Sequence, residues 1–253
     1  PYRPVEPEEV APLIADGQVV AWFDGASEFG PRALGHRSIL ADPRREDAKD
    51  LLNRQVKFRE GYRPYAPSVL AEEAANWLDL DAPSPFMLLV VPVREEKRAL
   101  VPAITHVDGT TRPQTVTPEA NPAYHRMIRE FFRLTGVPMV INTSMNVNRE
   151  PIVETPIDAL LCAFGTRIDA LYLSGLLVDC RSCPRTELVT ALKAERARRL
   201  DEEWATVTSR YLTRYDTAER DAYLAEENKT SEWHRLYRAK YELEQHMLGW
   251  RAR

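Results

Sequence analysis

Between residues 186 and 250 the chain contains no proline and a single glycine, Gly249, and charges of both signs fill the spaces between its apolar residues. Upstream, glycine and proline punctuate the sequence frequently, and short apolar runs alternate with amphipathic stretches. That contrast separates a mixed α/β segment, residues 1–183, from a helical extension, residues 184–253. In the extension Trp204, Val207 and Tyr211, then Trp233, Leu236, Tyr237 and Tyr241, recur at helical spacing, which predicts two or three helices. In the first segment residues 19–23 read as a buried strand. Residues 46–56 read as a helix with Ala48, Leu51, Leu52 and Val56 on one face, and 86–93 as a core strand. Asn121-Pro122 reads as the N-cap and first position of a helix. Its buried stripe is Tyr124, Met127, Ile128, Phe131 and Phe132, and Gly136 ends it. A strand is predicted at 137–141, a helix at 157–164 after Thr155-Pro156 and before Gly165, and more strand at 170–178.

The length, 253 residues, sets an expectation of one or two domains, and 44% hydrophobic residues suffice for a sizeable core. The net charge of -4 gives no global field that would draw nucleic acid. No run of about eighteen apolar residues would form a membrane helix, and no signal-peptide pattern opens the chain. Three cysteines do not suggest a disulfide framework. These features predict a soluble, cytoplasmic protein. The first residue is Pro1 rather than Met, which reads either as the sign of an upstream segment left out or as a matter of numbering alone.

Four segments concentrate groups that bind anions. In Glu28-Phe29-Gly30-Pro31-Arg32-Ala33-Leu34-Gly35-His36-Arg37-Ser38 two glycines let backbone approach a ligand closely, and two arginines and a serine supply donors for phosphate oxygens. No Gly-Lys-Ser/Thr follows, and the dinucleotide fingerprint is absent. A Gly-rich turn with surface arginines has the same spacing. In Lys57-Phe58-Arg59-Glu60-Gly61-Tyr62-Arg63-Pro64-Tyr65 three cations are interleaved with aromatics, a combination suited to polyanions and met also in single-strand nucleic-acid sites. Pro64 and Pro67 stiffen the backbone and favour a small-molecule site; a solvated loop whose aromatics cap the core is the plainer alternative. Asp108-Gly109 predicts a polar hairpin that carries His106 and places Arg112 just past its tip. Asn142-Thr143-Ser144-Met145-Asn146 follows an apolar strand, and ligands collect at strand carboxyl ends in open α/β sheets. A turn satisfying its own backbone would account for part of that cluster. Cys180 and Cys183 lack further ligands at metal spacing and read as incidental, so no metal site is expected in this chain. Neither a Ser-His-Asp arrangement nor a paired-carboxylate site stands out.

In this order the segments resemble the C-terminal, YrdC-like domain of the O-carbamoyltransferase family that includes the nodulation-factor, tobramycin and cephamycin enzymes. The likeness covers roughly residues 8–180. It runs from 28–43 through Val56-Lys57-Phe58-Arg59-Glu60, Arg63-Pro64, Thr105-His106-Val107-Asp108-Gly109-Thr110 and Asn142–146 to Glu150-Pro151-Ile152-Val153 and Thr155-Pro156. It implies a YrdC-like twisted mixed sheet with flanking helices. It also implies a reaction in which carbamoyl phosphate and ATP, with Mg2+, give carbamoyl adenylate and pyrophosphate. The carbamoyl group would then pass to an alcohol in an ASKHA-type domain with a histidine-containing iron site. That domain is not recognisable here, since the five histidines form no His-rich motif; the resemblance therefore implies a preceding domain or a partner subunit. Carried over by motif, the catalytic cations are Arg32, Lys57 and Arg63, and the substrate-binding set adds Arg112, Ser144 and Asn146. Arg37, Arg59 and His106 form a second rank. The helical extension, with no counterpart in these motifs, is expected to dock such a partner, mediate a homodimer, or stand as an appendage. Two other readings remain open: a threonylcarbamoyl adenylate synthase-like enzyme, whose basic motifs are ordered differently, and a non-catalytic module binding nucleotide or RNA. The mild acidity speaks against RNA.

Overall fold

The computed structural model describes residues 1–147 and 150–212, with side chains through residue 202. The strands, in chain order, are β1 (Tyr2–Pro4), β2 (Val20–Phe23), β3 (Arg37–Ala41), β4 (Ala66–Leu70), β5 (Val91–Pro92), β6 (Thr110–Thr111), β7 (Gln114–Val116), β8 (Met139–Ser144), β9 (Ala170–Leu173) and β10 (Leu176–Asp179). The α-helices are α1 (Ala11–Ala15), α2 (Ala48–Leu52), α3 (Ala74–Trp77), α4 (Glu95–Arg98), α5 (Pro122–Thr135), α6 (Pro156–Gly165) and α7 (Arg185–Leu212). The main sheet has the order β1-β10-β9-β2-β3-β8-β4-β7. Its β2–β9 and β4–β7 pairs are parallel and its other neighbours antiparallel. This is the expected α/β class: a mixed sheet with flanking helices.

Local chemistry accounts for the element ends. Asn121 caps α5 by accepting from the Tyr124 N–H at 3.1 Å, Pro122 opens the helix, and Gly136 leaves it in the left-handed region at φ 73°. Tyr124, Met127, Ile128 and Phe131 form its fully buried stripe; Phe132 is only partly buried. Thr155 and Asp158 form a reciprocal capping box at the start of α6, which includes Gly165.

Elsewhere the structure departs from expectation. The helix expected at 46–56 is α-helical only over Ala48–Leu52, then widens into a π-turn, Asn53–Lys57, closed by left-handed Phe58 at φ 47°. The strand expected at 137–141 is β8, which starts later and continues into the polar cluster because β3 and β4 pair along it as far as Ser144 and Asn142. The segment 170–178 is a hairpin, β9–β10, turning through Ser174 and Gly175 at φ 45° and 88°. The core strand expected at 86–93 is not one: Val91–Pro92 pairs with β6, Val93 makes a single bridge to Leu78, and Phe86, Leu88 and Val90 are 59%, 77% and 61% exposed. Met87 adopts φ 54°, which breaks an extended run, and β5 pairs with β6 outside the main sheet. The Asp108-Gly109 turn forms, with Gly109 at φ 77° and the His106 N–H donating to Thr110 O at 2.9 Å. It does not make a hairpin, since Thr110–Thr111 pairs with β5 rather than with the preceding segment.

The first turns of α7 belong to the compact unit Pro1–Arg196. Arg185 donates to the carbonyls of Thr166 and Ile168, and Leu188, Val189 and Leu192 pack on the core. The side chains of Trp204, Val207 and Tyr211, and residues 213–253 with the second aromatic group, lie outside the described residues. Among the described residues no helix is long and apolar enough to cross a membrane.

Candidate anion site at one end of the sheet

Strand register brings the singled-out segments to one end of the sheet. Ser144, ending β8, lies opposite Ser38, and Arg37, opening β3, lies opposite Phe23, which ends β2. Ala66, opening β4, lies opposite Asn142, and Gln114, opening β7, lies beside Ser68. The loops around residues 24–36, 58–65, 105–113 and 145–147 therefore all emerge at that end.

The 28–38 loop is fastened by side chains. One carboxylate oxygen of Glu28, Oε1, accepts from the backbone N–H groups of Leu34, His36 and Arg37 at 2.6, 2.9 and 3.1 Å. Asn142, Gln114 and Asn121 donate to the carbonyls of Ala33, Leu34 and Gly35 at 3.0, 2.8 and 3.0 Å. Gly35 sits at φ +97°, and a Cβ there would stand 2.3 Å from the Tyr124 ring, so glycine is required for both conformation and space. Asn142, Gln114 and Ser68 also bond one another in the interior. This network ties the Arg32 loop to β8 and to the strand that follows Arg112.

Lys57 is the last residue of the π-turn and is 4% exposed. Its Nζ donates to Asn146 Oδ1 at 2.7 Å, Asn146 O at 3.1 Å, Ser144 Oγ at 3.3 Å and Ser144 O. The Ser144 hydroxyl donates in turn to Asn146 Oδ1 at 2.7 Å. Burial strips water from the ammonium and pulls its pKa down to about 7. The preceding turn is held by Asn53, which accepts from Arg59 Nε and the Tyr65 hydroxyl at 2.7 and 2.8 Å and donates to the carbonyls of Gly61 and Arg63.

Lys57, Ser144 and Asn146 are thus in direct contact. Arg32 and Arg112 form a second group. Burial first, and the like charge of Arg32 second, hold the Arg112 guanidinium below its ordinary value, and among the described residues neither arginine has a carboxylate partner. Arg63, in the 58–65 loop, is half exposed and paired with Glu60 at 3.1 Å. The second-rank residues are engaged in local structure. Arg37 is buried over the Phe23 ring and donates to the carbonyls of Asp24, Gly25 and His36. Arg59 lies over the Tyr65 ring, and His106 faces the Thr110 hydroxyl at 3.4 Å within its turn. Sequence reasoning gave no role to Glu28, Asn53 or Gln114. The available signal was polar residues at buried positions, with Gln114, Ser68 and Asn142 sharing one face of β7, β4 and β8. Among the described residues no three His, Cys, Asp or Glu side chains gather as a metal cage. Cys180 is buried and Cys183 partly so, both as free thiols.

Residues 11–180 match the family described as Carbamoyltransferase C-terminus. The chain belongs to that family. It is 53% identical over 175 residues to the nodulation protein NolNO of Sinorhizobium fredii, covering 68% of this chain and 26% of that protein. It is 42% identical over 159 residues to a 3'-hydroxymethylcephem-O-carbamoyltransferase of Amycolatopsis lactamdurans, covering 63% and 30%. The chain therefore spans between about a quarter and a third of the length of these curated relatives. Among solved structures it is similar to full-length HypF in the phosphate- and nucleotide-bound form, at 22% identity and a TM-score of 0.49 over 70% of this chain and 26% of that one. It is also similar to P. abyssi Sua5 complexed with L-threonine, at 18% and 0.48 over 67% and 46%.

Proposed function

We propose that this chain is the component of an O-carbamoyltransferase that forms carbamoyl adenylate from carbamoyl phosphate and ATP. The observation that carries this reading is two arginines that feel each other's charge, neither with a carboxylate partner among the described residues, together with a buried lysine on loops that emerge at one end of the sheet. Both substrates are polyanions, and stabilising phosphoryl charge in such reactions is largely a matter of positioned cations. The balanced conversion consumes carbamoyl phosphate, ATP and water and yields carbamoyl adenylate, pyrophosphate and inorganic phosphate. Arg32 and Arg112 offer planar donor forks to phosphoryl oxygens. Lys57 exchanges the oxygens of Ser144 and Asn146 for those of a phosphate, with the Ser144 hydroxyl and Asn146 amide as neighbouring donors. Arg63 joins them by leaving Glu60. Mg2+ enters with ATP, carried on the nucleotide's phosphates, and neutralises part of their charge; no residue of this chain is assigned to it. Transfer to an alcohol is assigned to an ASKHA-type, iron-containing domain or subunit in the remainder of the longer relatives.

Titration calorimetry of the full chain with ATP and with carbamoyl phosphate tests the reading. Arg32→Ala and Lys57→Ala should each weaken binding about 10- to 100-fold, the equivalent of ~1.5–3 kcal/mol for a charge-assisted hydrogen bond, and Arg198→Ala should leave it unchanged. Failure of both ligands to bind, or equal losses in all three variants, would contradict it. Carbamoylation of an alcohol by the purified chain alone would refute the need for a second domain.

A further inference from the structure

We propose that Glu28 is a positioning residue that presents Arg32 to the anion; this rests on the reading of Arg32 as an anion-binding group. The backbone around Arg32 divides into two parts. From Ala33 to Arg37 its polar groups are tied to side chains: the carbonyls of Ala33, Leu34 and Gly35 to Asn142, Gln114 and Asn121, and the N–H groups of Leu34, His36 and Arg37 to Glu28. The Gly35 N–H donates to Ser38 Oγ at 3.1 Å. Residues 29–32, by contrast, make no hydrogen bond with the described residues. Phe29 is fully exposed, and Gly30 sits at φ +131° with open space where a Cβ would be.

Arg32 thus rides on a short free arch with two feet. One foot is the clamped stretch beginning at Ala33. The other is Glu28, whose own carboxylate reaches across the arch to the three N–H groups of the first foot. A single side chain therefore closes the arch. A carboxylate accepting three backbone N–H groups is a charge-assisted contact, stronger than a neutral acceptor would make. Without it the arch is fastened at one side only, and Arg32 must be ordered when the anion binds rather than before. That ordering cost appears as lost affinity.

A merely structural glutamate would weaken the whole chain, and its effect would not depend on Arg32. A positioning glutamate acts through Arg32, and its effect vanishes when Arg32 is gone. The test is a double-mutant cycle in the full chain, read by ATP calorimetry, together with hydrogen exchange at the Leu34, His36 and Arg37 amides. Glu28→Gln keeps the side-chain volume and one acceptor oxygen but removes the charge. It is expected to weaken ATP binding about tenfold, to accelerate exchange at those three amides, and to cost nothing further in an Arg32→Ala background. Glu28→Ala should do the same more strongly. Unchanged affinity in Glu28→Gln, or an equal loss with and without Arg32, overturns the proposal. If the wild type binds no ATP, the functional reading of Arg32 fails. The exchange rates then decide the loop role separately: acceleration in Glu28→Gln supports it and unchanged rates overturn it.

Discussion

Replacing Lys57 by methionine should stabilise the fold while removing anion binding. In the folded chain burial pulls the ammonium from 10.5 to about 7. At about 1.4 kcal/mol per pH unit this is a cost on the order of 5 kcal/mol at neutral pH. Methionine fills a similar volume with no charge, but it deprives the Ser144 and Asn146 oxygens of their donor. Those residues are partly exposed, so the loss is roughly 1 kcal/mol for each. The net expectation is a gain of about 2–3 kcal/mol at pH 7. The pH dependence identifies the cause. The folded chain releases the Lys57 proton near pH 7 and the unfolded chain near 10.5, so between these values the unfolded state holds more protons. Wild-type stability from this group therefore rises with pH across that window, and the penalty is complete below it. Urea melts of wild type and Lys57→Met at pH 6, 7, 8 and 9 should show the variant ahead at pH 6 and 7 and its lead vanishing toward pH 9. A gap that does not change with pH, or a variant less stable than wild type at pH 6, would refute the reasoning.

Gly35→Ala should destabilise the chain by about 3 kcal/mol or more, because its Cβ would stand 2.3 Å from the Tyr124 ring in a left-handed conformation; a thermal melt checks it. Leu88→Ser should change stability by less than about 0.5 kcal/mol, since Leu88 is 77% exposed. A loss of about 2–3 kcal/mol in a urea melt would instead restore the buried-strand reading of that segment.

What was legible in the sequence was local. The Asn121-Pro122 start and Gly136 stop of α5, and the Thr155-Pro156 start of α6, depend on residues close in sequence, and they formed as read; the Asp158 half of the α6 capping box was not part of that reading. The apolar run through Phe86 and Val90 misled because hydrophobicity reports a wish for burial and not the presence of a partner strand. The π-turn that ends at Lys57 could not be read, since Asn53 is held by the carbonyls of Gly61 and Arg63 and by Tyr65, beyond the turn itself. The site shows the same division. The donor-rich segments could be picked out, and strand pairing places them at one sheet end. That Arg37 spends its guanidinium on backbone carbonyls, and that Glu28 fastens the loop, follow only from three-dimensional geometry.

The central claim is adenylate formation, and exchange of labelled pyrophosphate into ATP by the purified full chain tests it most directly. Because adenylate formation is reversible, exchange should require carbamoyl phosphate or its breakdown product carbamate, need no alcohol, and be lost in Lys57→Met even though that variant is folded. Exchange that proceeds equally without either carbamoyl compound, or its absence from a wild-type chain that demonstrably binds both substrates, would contradict the account.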